Sequence, residues 1–197
     1  MRLLALAPIA RPSKTVSRFF LESRRLGFRQ WDASDLSLAL GLWGDPAVSR
    51  FISSRGFTES EVRNRLEREL ASEEAHGIQY WPVFLLTSGE HVGCCGLRPR
   101  QGQPRVPEFG VHIASAHWRQ GYALEAAKCV IQHAFNVLGF QALFAGHHPR
   151  NAASRSLLLR LGFAHTHDEF YEPTGLEHPS YLLTSRKNRG TLYIETK

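Results

Sequence analysis

The sequence predicts one α+β domain built on a mixed sheet. Three observations carry this expectation. The 197 residues fit a single domain. Hydrophobic residues at 43% and charged residues at 21% are ordinary globular values, which excludes disordered and collagen-like chains. Strand-like and helix-like segments follow one another without the strict alternation of a parallel α/β fold. No internal repeat is present, and no apolar run approaches the ~18–20 residues that a membrane helix needs.

The elements follow in order. Residues 1–18 form a basic leader with no acid, followed by a body at 19–185 and a tail at 186–197. Residues 25–31 alternate apolar and basic side chains as a strand does, and Asp32 or Ser34 can cap a helix to about Trp43. Asp45-Pro46 then breaks the pattern. Thr58, followed three residues later by Glu61, has the form of a capping box. Val62, Leu66 and Leu70 recur every four residues behind it, so a helix is expected to about Ala75. Its charged residues Arg63, Arg65, Glu67, Arg68 and Glu69 are of mixed sign and read most simply as a solvated face. Residues 80–87 and 91–97 read as a hairpin around Ser88-Gly89-Glu90, and 108–115 as a third strand. Ala123, Ala127, Val130, Ile131, Ala134, Phe135 and Leu138 line one face of a helix that Gly139 can end. Residues 141–146 read as a short strand. Asn151 caps a second helix ended by Gly162, and 163–170 and 180–185 close the sheet.

The net charge of +6 is local. Residues 1–30 hold seven bases and one acid, whereas the remainder holds 17 of each. A nucleic-acid footprint spread over a face or a helix is therefore not expected, and any such contact would fall to the N-terminal arm. The Arg- and Ser-containing leader also has the composition of a mitochondrial transit peptide, the alternative to a cytoplasmic location. Three cysteines without a C-x-x-C argue for a reducing compartment. Cys94 and Cys95 would face opposite sides of a strand. His165 and His167 would share a face, but no further ligand is spaced to complete a metal site. The ten histidines read as surface residues.

One stretch carries chemistry. From Glu108 the chain runs through a strand, a short turn at Trp118-Arg119-Gln120-Gly121-Tyr122-Ala123, and a helix. Gly121 lets backbone approach a ligand, Ala123 avoids crowding it, and the helix end offers free N–H groups with about half a positive charge. Such a turn can cradle a pyrophosphate, or serve as a plain structural turn.

The surrounding matches resemble the GNAT N-acetyltransferases, in the RimJ/RimL-like branch of ribosomal-protein alanine acetyltransferases. Trp118 to Ala123 is similar to the family's acetyl-CoA loop, with Trp at a position that is Gln or Arg in most members. Asn151-Ala-Ala-Ser154-Arg-Ser-Leu-Leu-Leu-Arg-Leu-Gly162-Phe163 is similar to the family's N-x-x-S…LGF helix. Leu21 to Trp31 and Asp45 to Ile52 match the branch in family order, so the resemblance covers about residues 21–185. It implies a mostly antiparallel sheet whose central strands, here 108–115 and 141–147, splay apart to take acetyl-CoA. It also implies transfer of the acetyl group to a primary amine by direct attack, with no metal.

The roles implied are these. Glu108 is the base, with His112 its rival four residues along the same strand face; an arginine ion pair is the competing use of Glu108. A backbone N–H between Val111 and Ile113 is the oxyanion donor. Ser154 bonds the leaving thiolate, with Tyr171 and Tyr181 as alternatives. Asn151 both caps its helix and holds the pantetheine arm. Ile113, Trp118, Arg119, Gln120, Gly121, Tyr122 and Ala123 complete the cofactor contacts. The acceptor is a protein N-terminal amine or a small amine, in a pocket shaped by residues 58–75 and 171–179. A monomer or homodimer is expected. The runner-up is a catalytically inactive module of the same fold, tethered to RNA or a ribosome by its basic arm.

Overall fold

The computed structural model describes residues 18–53 and 55–185; the leader and tail expectations lie almost wholly outside these residues. Eight strands form one sheet in the order β1-β2-β3-β4-β5-β6-β8-β7. They are β1 (Leu21–Glu22), β2 (Leu26–Phe28), β3 (Tyr80–Leu85), β4 (His91–Arg98), β5 (Glu108–Ile113), β6 (Ala142–Gly146), β7 (Ala164–Tyr171) and β8 (Leu176–Thr184). Every pairing is antiparallel except β5 with β6. That parallel pair needs a crossover, which the helix α4 (Tyr122–Asn136) supplies.

Helices cover both faces. On one lie α4 and α5 (Ala152–Leu161), over a core that includes Phe28, Trp81, Val83, Cys95, Phe109, Val130 and Leu158. On the other lie α1 (Leu36–Trp43), α2 (Pro46–Ser49) and α3 (Glu59–His76), over Trp31, Leu42, Trp43, Val62, Leu66, Tyr80 and Cys94. Cys94 and Cys95 thus do serve opposite cores, as period-two alternation requires.

The local signals placed the ends well. Asp32 caps a single 3-10 turn ahead of α1, Thr58 and Glu61 make the capping box of α3, and Asn151 caps α5. Four details differ. The short strand β1 and the four-residue α2 carry too few residues for a periodic signal. Asp45 does more than break a helix, since its side chain caps α2 through the Ala47 N–H. Helix α4 ends at Asn136, ahead of Leu138 and Gly139. His165 and His167 do not share a face: a bulge lets them pair with the adjacent residues Tyr181 and Ser180, so they point to opposite sides. No described helix is long and apolar enough to cross a membrane.

His91 gives the fold a pH dependence. It sits between the rings of Trp31 and Phe84, 5.5 and 5.3 Å away, and its Nε2 is buried without a partner. Burial, only partly offset by a hydrogen bond with the Gly93 backbone, lowers its pKa from 6.5 to about 4. The unfolded chain therefore binds the proton first, and stability is lost as pH falls from about 6.5 toward 4. His112 is shifted in the same direction. Melting at pH 7 and pH 5 should show a lower Tm at pH 5. His91→Phe, which keeps a ring between Trp31 and Phe84, should shrink that difference; an unchanged difference would remove His91 as a cause.

Candidate active site

The sheet opens at its one parallel seam. Strands β5 and β6 share a single register pair, Glu108 with Phe144, fastened by the Phe144 N–H donating to the Pro107 carbonyl at 3.0 Å. Beyond it they diverge. The Ala114 N–H donates to the Val92 carbonyl of β4. Alternation along the ladder then directs the amides of Gly110 and His112 to β4, and those of Val111 and Ile113 into the gap. Trp118 fixes the end of β5, its indole Nε1–H donating to the Ile113 carbonyl at 2.7 Å.

Two helix N-termini face the open end. Helix α4 starts from Gly121 at φ 82° without any side-chain cap. Arg119 is also left-handed, at φ 62°. Such reversals can gather successive N–H groups into an anion-binding concavity. A Cβ on Gly121 would meet only the Arg25 guanidinium, at 3.5 Å, so the space above the turn is open. Arg25, which the sequence did not single out, clasps this turn. Its Nη2 donates to the Gln120 carbonyl at 3.1 Å, its Nε to Glu125 at 2.7 Å, and its guanidinium lies 4.5 Å from the Tyr122 ring centroid. Burial would raise the Glu125 pKa, but hydrogen bonds from Ser23 and Arg25 outweigh it and hold the carboxylate below its usual range. Helix α5 presents Asn151 and Ser154 just beyond β6. The Ser154 N–H donates to Asn151 Oδ1 at 3.1 Å, and the Ser154 side chain is half-buried.

The α1–α3 face of β5 carries Glu108, Gly110 and His112. Tyr80 crosses beneath Gly110, where a Cβ would lie 2.3 Å from the phenol oxygen, so glycine is required there for close approach. That crossing brings the Tyr80 hydroxyl to donate to Glu108 at 3.4 Å. The competing use of Glu108 is not taken up, because no ion pair among the described residues includes it. Arg98, its cross-strand neighbour, donates both Nε and Nη2 to Glu69 instead. Burial, partly offset by the Arg98 charge, raises the Glu108 pKa above its ordinary 4.5.

His112 is differently placed. The Trp43 indole N–H donates to its Nδ1 at 3.1 Å, which puts the ring hydrogen on Nε2 and leaves no free lone pair. Burial, then the charges of Arg65 and Arg98, lower its pKa well below 6.5. Asp45 ties α2 to the turn after β5 by accepting from Ser115 Oγ at 2.5 Å.

Two readings of surface residues are corrected here. Arg65 and Glu69 are not solvated; they are 7% and 1% exposed. The mixed-sign pattern of α3 did not reveal this, because Trp43, Phe57 and Arg98 come from elsewhere in the chain to cover them. His147, His148 and His178 are buried as well. His147 donates from Nδ1 to the His148 carbonyl at 2.9 Å and accepts the Tyr181 hydroxyl at Nε2, 3.2 Å away. That commits the Tyr181 proton. Tyr171 ends β7, its hydroxyl pKa raised by burial and by the Glu108 charge.

A separate depression of about 840 Å³, lined by Arg29, Asp35, Glu73 and Trp81, lies at the β2–β3 side of the sheet. Its acids are already engaged, Asp35 with Arg29 and Glu73 with Gln79 and Trp81. Among the described residues no group of three or more His, Cys, Asp or Glu could hold a metal ion.

In sequence and fold the chain is similar to known proteins. A family model described as an acetyltransferase (GNAT) domain matches residues 25–164. The chain is 29% identical over 144 residues to the uncharacterized protein YkkB of Bacillus subtilis, across 72% of this chain and 83% of that protein. It is 28% identical over 145 residues to the uncharacterized N-acetyltransferase YoaA of the same organism, across 73% of this chain and 81% of that protein. Its fold is similar to that of RimL, a ribosomal-protein α-N-acetyltransferase solved with coenzyme A. The TM-score is 0.69 at 14% identity, covering 82% of this chain and 95% of the other.

Proposed function

The chain belongs to the acetyltransferase (GNAT) family, and from that premise we propose how its residues divide the work of moving an acetyl group onto a primary amine. The protein is an acetyl-CoA-dependent N-acetyltransferase. Acetyl-CoA, when bound, supplies the thioester carbonyl that the amine attacks. The observation that carries the assignment of roles is the seam between β5 and β6. It has one rung, two β5 amides turned into the gap, and an uncapped helix N-terminus at its mouth.

The turn from Trp118 to Ala123, clasped by Arg25, holds the pyrophosphate with its backbone N–H groups. Asn151 keeps α5 aimed at the gap and bonds the pantetheine arm. The Val111 or Ile113 N–H donates to the developing oxyanion, a contact of a kind worth ~3 kcal/mol. Glu108 takes the proton from the amine. Four residues of extended strand separate it from His112, roughly 13 Å, so the proton travels to it through water. The favoured base is Glu108, because His112 has its acceptor nitrogen occupied by Trp43. Ser154 donates a hydrogen bond to the leaving sulfur. The acceptor amine enters on the α1–α3 face, between α3 and the β7–β8 hairpin, as a protein N-terminus or a small primary amine.

The test is amine-dependent release of CoA thiol from acetyl-CoA, read over a panel of N-terminal peptides and small primary amines. Thiol release matched one-to-one by acetylated amine in mass spectra is expected. Release that no amine accelerates would overturn the reading.

A further inference from the structure

Arg65 is a buried cation with no ion pair among the described residues. It lies on the inward face of α3, 7% exposed, with its guanidinium 4.8 Å from the Phe57 ring centroid and 5.2 Å from that of Trp43. Its Nε is buried and makes no hydrogen bond. The buried carboxylate one turn along α3, Glu69, is used elsewhere: Oε1 accepts from Arg98 and Oε2 from the Tyr80 N–H at 2.8 Å. Two guanidiniums therefore stand near one carboxylate, and only Arg98 is paired with it. Burial, reinforced by the Arg98 charge, lowers the Arg65 pKa to about 10. Aromatic faces offset part of the cost of a buried cation. They do not supply the fork-shaped acceptor that a guanidinium matches.

The location gives this orphan a meaning. Trp43 touches both Arg65 and His112, one through its ring face and the other through its indole N–H. Arg65 therefore overlies the stretch of β5 whose amides enter the gap. Its charge is felt by His112 below and by Tyr171 at the end of β7. A group bound there would lie against Phe57 and Trp43, on the same side of β5 as Glu108.

We propose that Arg65 binds a carboxylate carried by the acceptor, so that the substrate class is a primary amine bearing a carboxylate a few bonds away. The inference rests on the acetyltransferase reading of the β5–β6 gap and narrows it. The guanidinium takes the carboxylate side-on through two N–H donors, which completes a charge pair that the described residues leave open. The carboxylate has two possible sources: the α-carboxyl of a free amino acid, or the side chain of an acidic first residue in a peptide.

The experiment measures kcat/KM with acetyl-CoA for free L-amino acids, for their carboxamides, and for pentapeptides starting with Asp, Glu, Asn or Gln. The expected result is a preference of ~30–100-fold for the carboxylate member of a matched pair, the range that a hydrogen-bonded charge supports. A preference within the amino acid pairs assigns the α-carboxyl; one confined to Asp over Asn and Glu over Gln peptides assigns the side chain. Arg65→Met should erase the preference, bringing kcat/KM for each carboxylate member down to that of its neutral partner. Arg65→Lys should restore only part of it, since an ammonium lacks the fork.

Arg65→Met deletes an uncompensated buried charge, so its Tm should hold or rise. A binding readout stands beside the rates. With unreactive CoA present, the preferred acceptor should raise the Tm of the parent protein and not that of Arg65→Met. Equal rates with carboxylates and amides, or a preference that survives Arg65→Met, would overturn the inference and leave the acetyltransferase reading standing. Failure of every amine, acidic or neutral, would overturn both.

Discussion

Replacing Glu108 by Gln is expected to lower turnover by ~10²–10⁴-fold, the range of a lost general base, with acetyl-CoA affinity unchanged. The substitution keeps the shape and the acceptor oxygen that meets the Tyr80 hydroxyl. It removes only the ability to take a proton. The pH profile separates this role from a structural one. Burial raises the Glu108 pKa above 4.5, and the base acts deprotonated. The rate of the parent protein should therefore fall as pH drops through that raised value, and the Glu108→Gln profile should lack that limb. Calorimetric titration with acetyl-CoA, run beside steady-state rates, checks both halves. Unchanged turnover would remove Glu108 as the base, whereas lost affinity would reassign it to holding the site together.

The second large effect is at the helix start. Gly121→Glu should weaken acetyl-CoA binding by ~100-fold or more, which is ~2.7 kcal/mol. The space above Gly121 is open, so the new carboxylate is not excluded by the protein. It would stand where the α4 N-terminus would otherwise meet an anion, and would itself take up those N–H groups. Gly121→Ala is the control. At φ 82° any side chain is strained, so alanine should lower Tm by a few degrees, yet it adds no charge and should cost little affinity. Equal losses from Ala and Glu would mean that backbone strain, not anion binding, governs the turn.

What could be read in advance was what is local. Thr58 and Glu61 are three residues apart and announce the start of α3 without help from the rest of the chain. Asn151 and Gly162 bracket α5 in the same way. Glu108, Gly121 and Ser154 drew attention because their neighbours in sequence carry the family's pattern. Arg65 had no such neighbours. Set among Arg63, Glu67, Arg68 and Glu69, it read as part of a solvated face of mixed sign. Its burial depends on Trp43 and Phe57 covering it, and its isolation on Arg98 reaching Glu69 from 29 residues away. Tyr80 posed the same problem. Its hydroxyl meets Glu108 only because Gly110 has no side chain in the way, and that relation joins two strands with a third between them. The β7 bulge is likewise a matter of how two strands slip in register, which alternation alone does not show.

The single rung between Glu108 and Phe144 has a thermodynamic corollary. It divides the sheet into a five-stranded part, β1 to β5, and a three-stranded part, β6 to β8. Each part has a continuous ladder of its own. Across the seam the halves are joined by that rung, by Arg100 reaching Phe144 and Glu169, by Phe109 against Phe163, and by the helices packed over it. On the proposed reading, a ligand in the gap would touch both and act as a missing strand. Mass action then adds its binding energy to the cohesion of the halves, ~2.7 kcal/mol when acetyl-CoA is a hundredfold above its Kd. The cellular supply of acetyl-CoA would in this way set both how fast the protein works and how firmly it stays folded.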